Sequence, residues 1–179
     1  MSFNRKLLFF DSIESTHLYA IENSSHFSPD SLTCIRAYTQ NAGIGRNDRS
    51  WISLPGNLLV SYVVKIPATA YPESANFLAL CLYQALNLKI RNLLFKEPND
   101  LYYEGKKCAG FLCHQSGDRL ILSFGLNTVD APEGFSTLKL DTEELFHEID
   151  NNIYTWIPTF LREGFTPFKE EWEKIPLKI

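Results

Sequence analysis

The chain is short of organising sulfur, of long apolar runs and of positive charge. Its four cysteines, at 34, 81, 108 and 113, form no Cys-x-x-Cys pair and have no histidine at finger spacing. Neither a zinc finger nor a disulfide framework is therefore expected, and the thiols read as reduced. Cys113-His114 are neighbours on one predicted strand, where alternate side chains face opposite ways, so a core thiol beside a surface imidazole is expected and no protein metal site. Met1-Ser2-Phe3-Asn4-Arg5-Lys6 leads into an apolar run of only Leu7 to Phe10, too short for a signal-peptide core or a membrane span. A cytoplasmic protein with no membrane partner is expected. Lys and Arg total 17 against 21 Asp and Glu, a net charge of −4, without the net positive charge that non-specific DNA binding usually exploits. No repeat, low-complexity tract or Ser/Gly/Pro linker divides the sequence. What remains is 179 residues, 45% apolar and 13% aromatic, enough for one domain with a real core.

Periodicity sketches the elements. A short strand is expected at 6–10, and Ser15-Thr16 offers a cap for a helix to about Glu22. A strand at 32–39 feeds the polar stretch 40–50. In 57–66, Leu58, Val60, Tyr62 and Val64 alternate with Leu59, Ser61, Val63 and Lys65, the pattern of a strand with one better-buried face. Phe77, Leu78, Cys81, Leu82, Ala85 and Leu86 recur at three and four and predict an amphipathic helix. Strands follow at 93–96, 101–103, 107–114 and 119–124, and the last three are spaced like a meander of antiparallel hairpins. Asp141 with Glu144 predicts a helix start, Leu145, Ile149, Ile153, Trp156 and Phe160 its apolar stripe, and Gly164 its end. Thr166-Pro167 opens a short terminal helix. Strands followed by segregated helices imply an α+β domain, a mostly antiparallel mixed sheet packed by helices.

Three polar stretches interrupt this pattern. In Gln40-Asn41-Ala42-Gly43-Ile44-Gly45-Arg46-Asn47-Asp48-Arg49-Ser50-Trp51, two glycines let the backbone approach a ligand, and Arg46 and Arg49 supply permanent cations for carboxylate or phosphate oxygens. Alone, such a loop is more often an ordinary surface turn. The second stretch joins Lys96-Glu97-Pro98-Asn99-Asp100 to Gly105-Lys106-Lys107-Cys108-Ala109-Gly110, and an Asx turn beside solvated lysines would also account for it. The third, Ser123-Phe124-Gly125-Leu126-Asn127, could be a plain strand exit.

Their order is more telling than any one of them. Ser15-Thr16, then Gln-x-x-Gly-x-Gly-Arg-x-x-Arg-x-Trp, Ser-x-x-Gly-Asn-Leu, Lys-x-Pro-Asn-Asp, Gly-x-Lys-x-Ala-Gly and Gly-x-Asn resemble, in order and spacing, the catalytic domain of biotin protein ligases. The likeness runs from about Asp11 to Thr128 and resumes at Glu163 to Phe168 and at Trp172-Glu173-Lys174. It implies a fold related to class II aminoacyl-tRNA synthetases, spanning 1–179 as a single catalytic domain. Neither the N-terminal helix-turn-helix of family repressors nor the C-terminal SH3-like barrel of many members is expected.

The implied reaction joins biotin and ATP into biotinyl-5′-AMP and then transfers the acyl group to a lysine of a biotin carboxyl carrier domain of acetyl-CoA carboxylase. DNA is not an implied partner, and a homodimer remains open. Lys107 matches the lysine between the biotin carboxylate and the phosphate, and Arg46 the arginine that holds the adenylate. These two are the expected catalytic residues, and neither has to move a proton in the first step. Ser15, Thr16, His17, Gln40, Gly43, Gly45 and Gly110 join Arg46, Trp51 and Lys107 in the implied biotin site. Arg49, Asn99, Asp100 and Asn127 join Arg46, Trp51 and Lys107 around the nucleotide. Mg²⁺ would be held chiefly by phosphate and water oxygens. The sequence departs from the family's usual Gly-Arg-Gly-Arg-x-Gly-Arg loop: Ile44 replaces its first arginine and Asp48 its last glycine. His17 stands where asparagine is usual, and Glu97 where tryptophan is. The alternatives carried forward are a ligase for lipoate or another acyl acid, and a ligand-binding homologue with weakened or lost catalysis.

Overall fold

A computed structural model describes residues 3–67 and 71–177. Seven strands, β1 (Asn4–Ile13), β2 (Ser31–Gln40), β3 (Leu58–Lys65), β4 (Leu94–Lys96), β5 (Asp100–Tyr103), β6 (Lys106–Ser116) and β7 (Arg119–Leu126), form one sheet in the order β1-β2-β3-β7-β6-β5-β4. Every neighbouring pair is antiparallel except β1 with β2. The expected α+β class and mostly antiparallel sheet are thus borne out, as is the meander of β5, β6 and β7.

The four helices, α1 (Thr16–Asn23), α2 (Ser74–Leu86), α3 (Thr142–Glu163) and α4 (Lys169–Trp172), cover the sheet unequally. The larger core joins Val60, Tyr62 and Val64 of β3 to α2, α3 and the C-terminal aromatics, with Phe77 stacked on Phe160 at 4.3 Å. On the opposite face Ala20 of α1 meets Ile35, Val63 and Ile121 in a smaller cluster. Two expectations are corrected by this layering. β3 has no poorly buried face, because α1 and the residues around it cover Leu59, Ser61 and Val63 as completely as the large core covers Leu58 and Val60. Likewise α2 is not amphipathic in use: Phe77 through Leu82 are all buried, being enclosed between the sheet and α3.

Local signals hold where capping chemistry sets them. The Ser15 side chain accepts from the Leu18 amide at the start of α1, and Asp141 from the Glu144 amide at the start of α3. Gly164 ends α3 at φ 68°, a left-handed conformation suited to glycine. β1 runs well beyond the expected 6–10, since its backbone pairing with β2 does not depend on an apolar pattern; Leu7 and Phe9 on this edge strand stay about half exposed. Cys113 packs against the large core, where burial pushes its thiol up to about 12, and His114 is exposed. Among the described residues all four cysteines are free thiols, and no helix is long and apolar enough to cross a membrane.

Candidate active site

α1 covers only part of its face of the sheet. Beyond it, the segment between β2 and β3 folds back over the middle of β6 and β7 and encloses a cavity of about 50 Å³. The segment is a small hairpin. The Trp51 amide donates to the Gly43 carbonyl at 2.8 Å, Ile44 bridges to Ser50, and the Gly45 amide donates to the Arg49 carbonyl at 2.7 Å. At its tip Asn47 takes φ 54°, which asparagine tolerates better than most residues. A Cβ on Gly43 would collide with the Trp51 carbonyl oxygen, so close approach of two backbones requires this glycine. The side chain of Asp48 lies outside the described structure.

The indole of Trp51 rests on a floor made by two glycines that face each other across β6 and β7, Gly110 and Gly125. Its Nε1 is buried and takes no hydrogen bond among the described residues. Phe135 meets it edge-on at 6.3 Å, and the Lys107 ammonium lies 5.5 Å from its ring centre, within cation–π range. Lys107 Nζ is held 2.6 Å from Asp100 Oδ1, both groups about three-quarters buried. Arg46 reaches across the cavity to donate to Asn99 Oδ1 at 3.2 Å, and Asn99 is itself anchored by donating to the Phe111 carbonyl at 2.8 Å. Two cations therefore stand at one end of the cavity, each positioned by a residue of the 99–100 corner.

The other end is neutral and polar. Gln40 Oε1 accepts from both the Thr16 amide (2.8 Å) and the Thr16 hydroxyl (3.0 Å), while its Nε2 donates to Ser53 at 3.2 Å. Behind them Ser61 donates to Thr16 Oγ1 at 2.9 Å, Ser123 contacts Ser61 at 2.8 Å, and His17 Nδ1 lies 2.7 Å from Ser123 Oγ. Burial and, second, the nearby His114 lower the His17 pKa to about 4, so its ring is neutral at physiological pH.

The residues singled out from the sequence divide by position. Ser15, Thr16, His17, Gln40, Gly45, Arg46, Trp51, Asn99, Lys107 and Gly110 all line the cavity. Gly43 supports its loop and Asp100 supports Lys107. Arg49 is exposed on the hairpin and is not among the lining residues. Asn127 is 1% exposed and also outside the lining. Its carboxamide lies 3.4 Å from Asn57 Nδ2 and donates to the Ser136 carbonyl at 3.2 Å. Ser123, Gly125 and Ile44, which are not among the expected site residues, line the cavity too. Counting back from Asn127 in twos reaches Gly125 and Ser123, so strand alternation carried that signal. Among the described residues no group of three His, Cys, Asp or Glu side chains gathers as a metal site.

The sequence model of the biotin/lipoate A/B protein ligase family matches residues 9–125. The chain is 26% identical over 196 residues to the bifunctional ligase/repressor BirA of Bacillus subtilis (strain 168), covering 97% of this chain and 60% of that protein. It is 28% identical over 163 residues to the biotin–[acetyl-CoA-carboxylase] ligase of Paracoccus denitrificans, covering 77% and 68%. The chain thus spans about 60% of the length of the curated ligase/repressors it matches. Among solved structures, biotin protein ligase from Aquifex aeolicus in complex with biotin and ATP superposes with a TM-score of 0.80 at 25% identity, covering 95% of this chain and 78% of that one. The Leishmania major ligase in complex with biotinyl-5-AMP gives 0.82 at 21% identity, covering 97% and 83%, a likeness of fold.

Proposed function

The chain belongs to the biotin/lipoate A/B protein ligase family, and from that premise we propose that it activates biotin as biotinyl-5′-AMP and transfers the acyl group to a lysine of a biotin carboxyl carrier domain, as in acetyl-CoA carboxylase, in the cytoplasm. The observation that carries the reading is the pairing of two braced cations, Lys107 with Asp100 and Arg46 with Asn99, at one end of a cavity whose other end is the neutral polar pocket of Thr16 and Gln40.

The chemistry asks for that polarity. A carboxylate oxygen must attack the α-phosphorus of a polyanion, expelling pyrophosphate, and the two negative partners repel each other until fixed cations screen them. Lys107 spans the carboxylate and the α-phosphate, and Arg46 holds the phosphate. Fixing both before the ligands arrive removes the reorganisation that mobile side chains would cost. Ser15, Thr16, His17 and Gln40 orient the ligand head, while Gly43, Gly45 and Gly110 allow close approach. Trp51, with Asn99, Asp100 and Arg49, belongs to the nucleotide side, Asn127 acts on it only from behind the cavity lining, and closure of the 41–51 hairpin excludes water from the mixed anhydride. In the second step the carrier amine attacks the acyl carbon, an amide forms and AMP leaves. Asp100, the carboxylate beside the cavity, is engaged by Lys107. Mg²⁺ would accordingly be held mainly by phosphate and water oxygens, adding charge screening when bound.

A second reading is a ligand-binding homologue with weakened turnover. It is favoured by Ile44, an apolar side chain on the cavity wall where the family pattern has a cation. A third, loading of lipoate or another acyl acid, shares the cations and differs at the head pocket. Incubation of the full chain with biotin, MgATP and a carrier domain separates them. Biotin-dependent pyrophosphate release with one labelled carrier lysine supports the ligase. Thermal stabilisation by biotin without pyrophosphate release supports the binding homologue, and turnover with lipoate in place of biotin supports the third.

A further inference from the structure

The neutral end of the cavity contains a hydrogen-bond chain whose direction can be read from its first member. A backbone amide can only donate, so the bond from the Thr16 amide fixes the oxygen of the Gln40 carboxamide on that side. The Thr16 hydroxyl, 3.0 Å from the same oxygen, must then donate to it as well. A hydroxyl has one proton. With it committed, Thr16 Oγ1 accepts from Ser61, and Ser61, its proton committed in turn, accepts from Ser123. Ser123 has then only lone pairs left for His17, so His17 Nδ1 is the donor in the 2.7 Å contact.

We infer that Ser61 and Ser123 are positioning residues that hold His17 in its Nδ1–H form, so that the pocket meets its ligand with the Nε2 lone pair and favours a cyclic urea. Nε2 takes no hydrogen bond among the described residues, and His17 lines the cavity. Among the described residues the titratable group facing the ring is His114, edge-on with centroids 6.2 Å apart. Charging His17 in the first turn of α1 would also oppose the helix dipole, which keeps Nε2 free of a proton. Beside it, the Ser15 oxygen caps α1 and its hydroxyl proton has no assigned acceptor. At this end of the cavity Ser15 thus offers a donor and His17 an acceptor, the complement of the carbonyl and N–H of a cyclic urea. The dithiolane of lipoate has neither. Ser61 is fully buried and does not line the cavity, so its influence on the ligand passes through the chain alone. This inference rests on the proposed biotin activity for its ligand, but the direction of the chain stands independently.

The test uses the full chain with ¹⁵N-labelled histidine, His17 being assigned by the signal lost in His17→Gln. The expected spectrum shows a protonated Nδ1 and a bare Nε2 in the free protein. A protonated Nε2 overturns the inference whatever the ligand proves to be. Removing the Ser61 hydroxyl in Ser61→Ala lets Ser123 turn its proton to Nδ1, so the ring should shift toward Nε2–H. Calorimetric affinity for biotin and for desthiobiotin, which keeps the urea and lacks the thioether ring, should fall about tenfold together, the scale of one hydrogen bond. Ser61→Thr, which restores a hydroxyl, should recover both. An unchanged tautomer and affinity in folded Ser61→Ala overturns the relay. If biotin fails to bind the wild type, the proposed function and the urea assignment fall together, and the spectrum still decides the proton order.

Discussion

Gly125 lies directly beneath the indole of Trp51, so close that a Cβ there would stand 2.5 Å from Cε2. No rotation of the alanine methyl relieves that contact, because the obstacle is a ring plane packed on the strand. Gly125→Ala should displace Trp51 from the floor, at a cost of about 1–3 kcal/mol from overpacking. Emission attributable to Trp51, obtained by difference from Trp51→Phe, should shift toward that of an exposed indole. Unchanged emission with unchanged stability would show that the strand yields instead.

Lys107→Ala should leave the melting temperature within a few degrees of wild type and reduce biotin-dependent pyrophosphate release by roughly 10²–10³-fold, the scale of losing one fixed charge at a developing anion. Asp100→Asn should have a smaller effect, about tenfold on kcat, because the ammonium remains but is no longer held. Full activity in the lysine variant would remove its assigned role.

Ile44 lines the cavity where the family pattern has an arginine. Ile44→Arg should lower the KM for ATP by roughly tenfold, since an added guanidinium near Arg46 forks onto phosphate oxygens. Should KM stay fixed, the lost charge is already offset elsewhere in the site.

Acid should weaken this protein partly through His17. The unfolded chain takes up a proton near the ordinary value of 6.5, whereas the folded chain resists it down to about 4. Above 6.5 neither state is protonated and the full stability is present. Between the two values only the unfolded state binds the proton, so stability falls as pH falls, by on the order of 3 kcal/mol once both are charged. Urea titrations at several pH values should show wild type losing more stability on acidification than His17→Gln. Equal losses would contradict the burial argument.

Asn57, at the end of the Ser-x-x-Gly-Asn-Leu stretch, is a structural clamp. It is buried, and its Oδ1 accepts from the amides of Thr128, Val129 and Asp130 at 2.9–3.3 Å. Asn57→Ala leaves those donors unpaired and should cost about 3 kcal/mol in chemical denaturation. Asn57→Asp keeps an acceptor and should cost less.

The short-range signals were legible because they act over a few residues. Ser15 and Asp141 cap helices where an oxygen can reach an amide three positions on, and the glycine-bearing corners separate β5, β6 and β7 as their turn chemistry requires. Burial was less legible. The alternation in β3 could not announce that α1 would cover its second face, and the three- and four-residue spacing in α2 could not foresee α3 enclosing the rest. Likewise the reach of β1 depends on a backbone partner that its own side chains do not encode.

Within the site, the sequence by itself determined which chemical groups are available: two cations, an amide-rich corner, a glycine-bearing loop and a Ser-Thr-His helix start, in an order that marks the family. Tertiary structure decided which of them meet. Lys107 is paired with Asp100 across the β5–β6 hairpin, and Arg46 with Asn99 because the 41–51 hairpin converges on that corner. Ser61 and Ser123, unremarkable residues 62 positions apart, become one conduit because β3 and β7 are neighbours in register. A hydroxyl gains direction only from the partners on either side of it, and those partners come from four separate elements that folding alone brings within hydrogen-bond distance.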